Sequence, residues 1–362
     1  MSPDAPLLPG KLGKPDLTLS ADPRLDPRLV ALFSPGEAMD NLIEDSTSVD
    51  GNSSYEEALQ YVEGIEPNLG PFYDGPLFGS LPPVEGVTRR TQTIVDSDDH
   101  EITLYIHEPT ERAGPLPGVV HTHGGGMVMS SATDLRYERW RDELAATGLC
   151  VVGVEFRNAA GKLGNHPFPA GLNDCARATQ WTYFNRSELG ISIVIVSGES
   201  GGGNLCLAVA LKAKQEEWLD EIGGVYSCCP YISGTYDPAP PELTSLFENK
   251  DYVIDASTQA MVKAYDPTGE HAKNPLAWPY HATNSHLEGL PPHTVSVNEL
   301  DPLRDEGLAY ARKLARAGVQ TISRTVNATP HGGDTDFLLL IPEIYYATIR
   351  DIHGFANSIV NN

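Results

Sequence analysis

The chain has 362 residues, with 25 Lys+Arg against 49 Asp+Glu and a formal net charge of −24. A surface so acidic repels phosphate backbones and anionic lipid, so it speaks against nucleic-acid and membrane partners and reads as a solubilising coat. The 40% hydrophobic share supports a large core; the five cysteines show no metal spacing and no disulfide framework, and with no leader or membrane-length apolar run in view the expected location is cytoplasmic.

Residues 1–85 carry recurrent prolines (Pro3, Pro6, Pro9, Pro15, Pro23 and Pro27, then Pro71, Pro82 and Pro83). Proline at that density breaks regular structure, leaving short helical pieces at 26–33 and 54–62. In the second piece Tyr55, Leu59 and Val62 share one helical face. From residue 88 the pattern changes. Segments 88–95 and 101–107 alternate apolar and polar residues and predict an antiparallel hairpin. Strands at 116–120, 149–156, 191–196 and from 224 then interleave with helices at 135–146, 174–189 and 204–218. Thr133 or Asp134 caps the first of these helices and Gly148 stops it. Strands apolar on both faces, separated by helices, predict an α/β fold with a mostly parallel sheet covered on both sides.

Residues 231–290 break that rhythm. The stretch is too long for an ordinary loop and holds a helical pattern at 257–265, so it reads as an insertion. The rhythm resumes with strands at 294–297 and 320–326 and helices at 306–317 and 342–355. The expected organisation is a core of 86–230 plus 291–362, with a cap built from 1–85 and 231–290.

Four motifs carry chemistry. Gly198-Glu199-Ser200-Gly201-Gly202 matches G-x-S-x-G between a buried strand and a helix. That context holds Ser200 on a strained turn, with its hydroxyl exposed at the sheet edge as a nucleophile. Glu199 beside it is expected to orient backbone or pair with a neighbour. His123-Gly124-Gly125-Gly126 follows an early strand, and glycines there let backbone N–H groups approach a developing oxyanion. Met127 and Met129 stand where a phosphate-binding or dinucleotide loop needs other residues. No acidic or cysteine pattern joins His121 and His123, so no metal site is expected. Asp301 and His331 each follow a strand, on the same edge as Ser200, in the order nucleophile, acid, histidine. Pro302 keeps Asp301 extended, whereas Asp305 suits a helix N-cap.

These motifs, with His166-Pro167-Phe168-Pro169, resemble the hormone-sensitive-lipase-like branch of α/β-hydrolase esterases, from about residue 118 to 331. The resemblance implies an α/β-hydrolase fold of about eight strands with a helical cap. It implies Ser200 as nucleophile, His331 as base and then acid, and Asp301 as its orienting partner. Gly125, Gly126 and Gly201 would form the oxyanion hole. It implies a serine carboxylesterase acting on a small or medium ester or lactone, with no cofactor and no metal, and leaves a homodimer open as the assembly. A non-hydrolytic small-molecule receptor and an amide hydrolase are the alternatives on this scaffold. Met127 after the glycine run and Gly333 after His331-Gly332 depart from the family pattern, beside the expected pocket.

Overall fold

Alternation within the strands decides the architecture. In neighbouring strands Val119, Val151 and Ile195 point to one side, and Val120, Val152 and Val196 to the other, each seeding a separate buried cluster. A strand whose two faces are both apolar needs cover on both faces, which helices supply. The computed structural model describes residues 8–34, 49–73, 77–96, 99–254 and 257–360. Of the features anticipated above, Pro3, Pro6 and residues 97 and 98 of the hairpin connection lie outside those described.

Among the described residues, eight strands form one sheet: β1 (Val87–Val95), β2 (Glu101–Pro109), β3 (Leu116–Thr122), β4 (Cys150–Glu155), β5 (Ile191–Glu199), β6 (Gly224–Cys228), β7 (His293–Asn298) and β8 (Thr321–Val326). Their order is β1-β2-β4-β3-β5-β6-β7-β8. β1 pairs antiparallel with β2, and β2 with β4; every other neighbouring pair is parallel. This is the α/β-hydrolase fold. The parallel strands bring the loops after β3, β5, β7 and β8 to one edge.

Among the described residues, seven helices of nine residues or more accompany the sheet: α1 (Tyr55–Tyr73), α2 (Leu135–Ala146), α3 (Ala170–Phe184), α4 (Gly201–Gln215), α5 (Ser257–Tyr265), α6 (Arg304–Arg316) and α7 (Pro342–Val360). Trp140 and Leu144 of α2 share a buried cluster with Tyr345, Ile349 and Ile352 of α7 on one face. Leu205 of α4 and Tyr310 of α6 join the cluster on the other. α1 and α5 lie against each other above the catalytic edge. All five cysteines are buried and unpaired.

Several local expectations are corrected. The 54–62 piece grows into α1, which runs on through Pro67 and Pro71. Ser54 and Glu57 close a capping box at its start, with the Glu57 amide donating to Ser54 Oγ at 3.2 Å and the Ser54 amide to Glu57 Oε2 at 2.6 Å. Both prolines, and Glu63 four residues before Pro67, are exposed, so the carbonyls that lose a partner face water. Residues 26–33 form turns rather than a helix. There the Asp26 carboxylate binds the Arg28 amide and guanidinium and competes with the helical pattern. The helix at 174–189 begins earlier, at Ala170. It breaks at Asn185, whose side-chain amide donates to Trp181 O at 2.8 Å, and a separate turn follows. Asp305 is not an N-cap, because the cap position is Leu303. Its carboxylate instead accepts from the Ser245 amide at 2.9 Å and Thr244 Oγ1 at 2.7 Å.

Candidate active site

The turn after β5 is tighter than the sequence suggests. The strand reaches Glu199 and α4 starts at Gly201, leaving Ser200 alone between them. Ser200 sits at φ 57° and ψ −118°, a conformation L side chains rarely adopt. Its amide donates to Cys228 O at 3.0 Å, while its carbonyl accepts from Tyr231 N at 3.1 Å and Asn204 N at 3.0 Å. The glycines around it are sterically required. A Cβ on Gly202 would overlap the Thr122 carbonyl, and one on Gly201 would lie 2.5 Å from Met127 N and 2.7 Å from Gly126 N.

The three side chains expected to act together are brought together. His331 Nε2 lies 2.9 Å from Ser200 Oγ, and its Nδ1 lies 2.8 Å from Asp301 Oδ2. Asp301 is fully buried, and its other oxygen accepts from Leu303 N at 2.8 Å. Burial alone would lower the His331 pKa. Asp301, and after it Asp336 and Asp334, outweigh that and hold it above the ordinary histidine value.

The glycine run turns back beside the serine. Gly125 and Gly126 have φ of 97° and 63° and line the same cavity as Ser200 and His331. The Gly125, Gly126 and Gly201 amides find no acceptor among the described residues. His123 anchors this loop. Its ring stacks on Phe156 with centroids 4.2 Å apart, and Nδ1 pairs with Gly124 O at 2.7 Å. Burial pushes the His123 pKa down to about 4, so the ring is neutral. Glu199 takes both expected jobs: Oε1 accepts from Gly124 N at 3.0 Å, and Oε2 meets His121 Nε2 at 2.9 Å. Burial would raise its pKa, but His121, His123 and the Gly124 amide bring it below the usual glutamate value.

The cavity over these groups encloses about 1040 Å³, counting its open mouth. Its far wall comes from α1, through Tyr61, Ile65 and Leu69, and from Met261 of α5. A polar corner was not anticipated. Arg136 lies between the rings of Tyr73 and Tyr137, 3.8 and 4.4 Å from their centroids, and 3.8 Å from Asp336. Burial pushes the Asp336 pKa up to about 6. No local pattern in the sequence marks these residues, because they come from three separate segments that meet only in the fold. Among the described residues, no group of three or more His, Cys, Asp or Glu is arranged to hold a metal ion, and no helix is long and apolar enough to cross a membrane.

This geometry can transfer a proton from Ser200 to His331 and offer amide donors to a carbonyl oxygen. Known proteins fit it. The α/β-hydrolase fold profile matches residues 119–334. Among solved structures, the chain is similar to brefeldin A esterase, described as a bacterial homologue of human hormone-sensitive lipase. The two are 42% identical, the match covers 98% of this chain and 99% of that one, and the TM-score is 0.91. It is also similar to carboxylesterase NlhH of Mycobacterium tuberculosis, 32% identical over 72% of this chain and 79% of that protein. An arylesterase of Saccharolobus solfataricus is 30% identical over 70% of this chain and 80% of its own length. The chain therefore belongs to the α/β-hydrolase fold family, within its carboxylesterase branch related to hormone-sensitive lipase.

Proposed function

We propose that this carboxylesterase cleaves small and medium carboxylic esters, lactones included, through Ser200, His331 and Asp301. The observation that carries the reading is the unbroken run from Asp301 Oδ2 to His331 Nδ1 at 2.8 Å and from His331 Nε2 to Ser200 Oγ at 2.9 Å. Ser200 Oγ attacks the ester carbonyl carbon as its proton passes to His331 Nε2. The carbonyl oxygen becomes an oxyanion facing the amides of Gly125, Gly126 and Gly201. Collapse breaks the bond to the alkoxy group, which takes the proton from His331 and leaves as the alcohol. Water, deprotonated by the same nitrogen, then attacks the acyl carbon, and collapse breaks the bond to Ser200 Oγ, which takes the proton back from His331 as the acid is released. Asp301 keeps the imidazole in the tautomer that presents its lone pair to Ser200.

The cap, from 1–85 and 231–290, sets substrate size in this reading. Lactone cleavage draws its support from the likeness to brefeldin A esterase, whose name carries a lactone. The test joins chemistry to size. An organophosphate should add its mass to the Ser200 peptide and abolish turnover. Nitrophenyl acetate and butyrate should outpace the palmitate ester, and a macrolactone should open. Labelling at another serine, with full activity in Ser200→Ala, would overturn the mechanism.

A further inference from the structure

The loop behind the glycine run is held partly from outside the hydrolase core. Ser130 is buried and sits at φ 75°. Three of its groups are tied down. Its carbonyl accepts from Asn158 Nδ2 at 2.6 Å, its hydroxyl accepts from Arg136 Nη2 at 3.3 Å, and its amide donates to Glu66 Oε1 at 2.9 Å. The first two ties come from the core. The third comes from α1, in the segment that precedes the first strand. The other Glu66 oxygen accepts from Lys162 N at 2.6 Å, so one carboxylate bridges two core loops. Glu66 is only 9% exposed. A buried amide left without its acceptor costs more than the net value of the bond it lost, so these loops depend on that side chain.

Ser130 leads directly to the oxyanion donors. The Val128 and Met129 amides both donate to Gly125 O, at 3.0 and 3.1 Å. A Cβ at Gly125 would overlap Met129 O and lie 3.0 Å from Ser130 Oγ. The two amide hydrogen bonds to Gly125 O close a turn from Gly125 to Met129, and Ser130 follows it directly, so a shift of Ser130 is passed through that turn toward Gly125.

We infer that Glu66 is a positioning residue for the oxyanion loop: the N-terminal helix, besides walling the cavity, sets where the Gly125 and Gly126 amides point. This rests on the ester-hydrolase reading above. Removing an oxyanion donor outright costs roughly 10²- to 10³-fold in kcat. Misplacing one without removing it should cost less, on the order of 10-fold or somewhat more.

The experiment uses the full chain with Glu66→Ala, Glu66→Gln and Val62→Ala, assayed on nitrophenyl butyrate and titrated with phenylboronic acid. The boronic acid forms a tetrahedral adduct on Ser200 and so reads the oxyanion hole without turnover. Glu66→Ala should lower kcat by on the order of 10-fold or more, leave KM within about 2-fold, and weaken boronic acid inhibition in proportion. Glu66→Gln keeps one acceptor oxygen and should fall between Glu66→Ala and the native chain. Val62→Ala, buried on the same helix but neither lining the cavity nor tied to Ser130, should leave both kcat and KM within about 3-fold. A folded Glu66→Ala with native kcat, or with only KM raised, overturns the inference. So does a Val62→Ala that loses kcat equally, since general loosening of the cap would then explain both. If Glu66→Ala does not fold, the kcat and boronic acid response of Glu66→Gln decide by the same criteria. A native chain that cleaves no ester and takes no organophosphate label at Ser200 would sink the ester-hydrolase reading instead, which keeps the two failures apart.

Discussion

The two walls of the cavity are built on different terms. On the core side, backbone touches backbone: Gly201 against Met127 and Gly126, and Gly202 against Thr122, with no room for one added carbon. Opposite it, Tyr61, Ile65, Leu69 and Met261 line the cavity from two helices, whose backbone groups are bonded within the helix and whose side chains project outward. A wall of close-packed backbone holds its amides rigidly and cannot accept substitution. A wall of side chains can be reshaped one residue at a time at modest cost. On the function proposed above, chemistry is lodged in the first wall and selectivity in the second.

That division can be broken at either wall. The largest effect is expected for Asp301→Asn. The amide favours the wrong histidine tautomer, so kcat should drop on the order of 10⁴-fold with the melting temperature nearly kept. A kcat within a factor of ten of native would remove Asp301 from the mechanism. Next comes Gly202→Ala, where overpacking against Thr122 should cost roughly 3 kcal/mol or more in urea unfolding. A fully stable, active variant would show that the core wall yields after all. At the cap, Ile65→Ala opens space without touching the serine. It should move the octanoate-to-butyrate selectivity by about 10-fold, the scale of a methylene or two in a pocket, while kcat on acetate stays close to native. An unchanged ratio with a large loss on every ester would place Ile65 with the chemistry. The smallest effect concerns pH. The proposed mechanism needs neutral His331, whose pKa is raised, so activity should rise with pH through a limb lying above 6.5. Asp336 contributes to that raise, so Asp336→Asn should move the limb to lower pH. A limb that stays put, or moves up, would mean that Asp336 does not act on the histidine.

The same contrast explains what could be read in advance. Backbone crowding can be relieved only by glycine, so the core wall is written in the chain as Gly124–Gly126 and Gly201–Gly202, and the parallel strands were visible as two-faced apolar runs. Asp301 and His331 could be placed because each follows a strand whose end lies on a known edge. Glu66 left no such trace. Its acceptor atoms meet amides 64 and 96 residues away, and a glutamate in a helix normally signals a solvated face. Pro71 argued against the helix that carries it, because a one-dimensional pattern cannot tell whether the unbonded carbonyl faces water. Arg136 and Asp336 look like ordinary helix residues until folding brings them to one corner.

The buried cysteines turn the molecule into its own unfolding reporter. Burial pushes the thiol pKa of Cys150 and Cys206 up to about 12, and those of Cys175, Cys228 and Cys229 are raised well above their ordinary value. Almost no thiolate, the reactive species, exists in the native state at neutral pH, and little of it is reachable. Alkylation by a small maleimide must then wait for the structure to open, whether locally or completely. The order in which the five sites react would rank the regions of the core, strands and covering helices alike, by how readily they come apart.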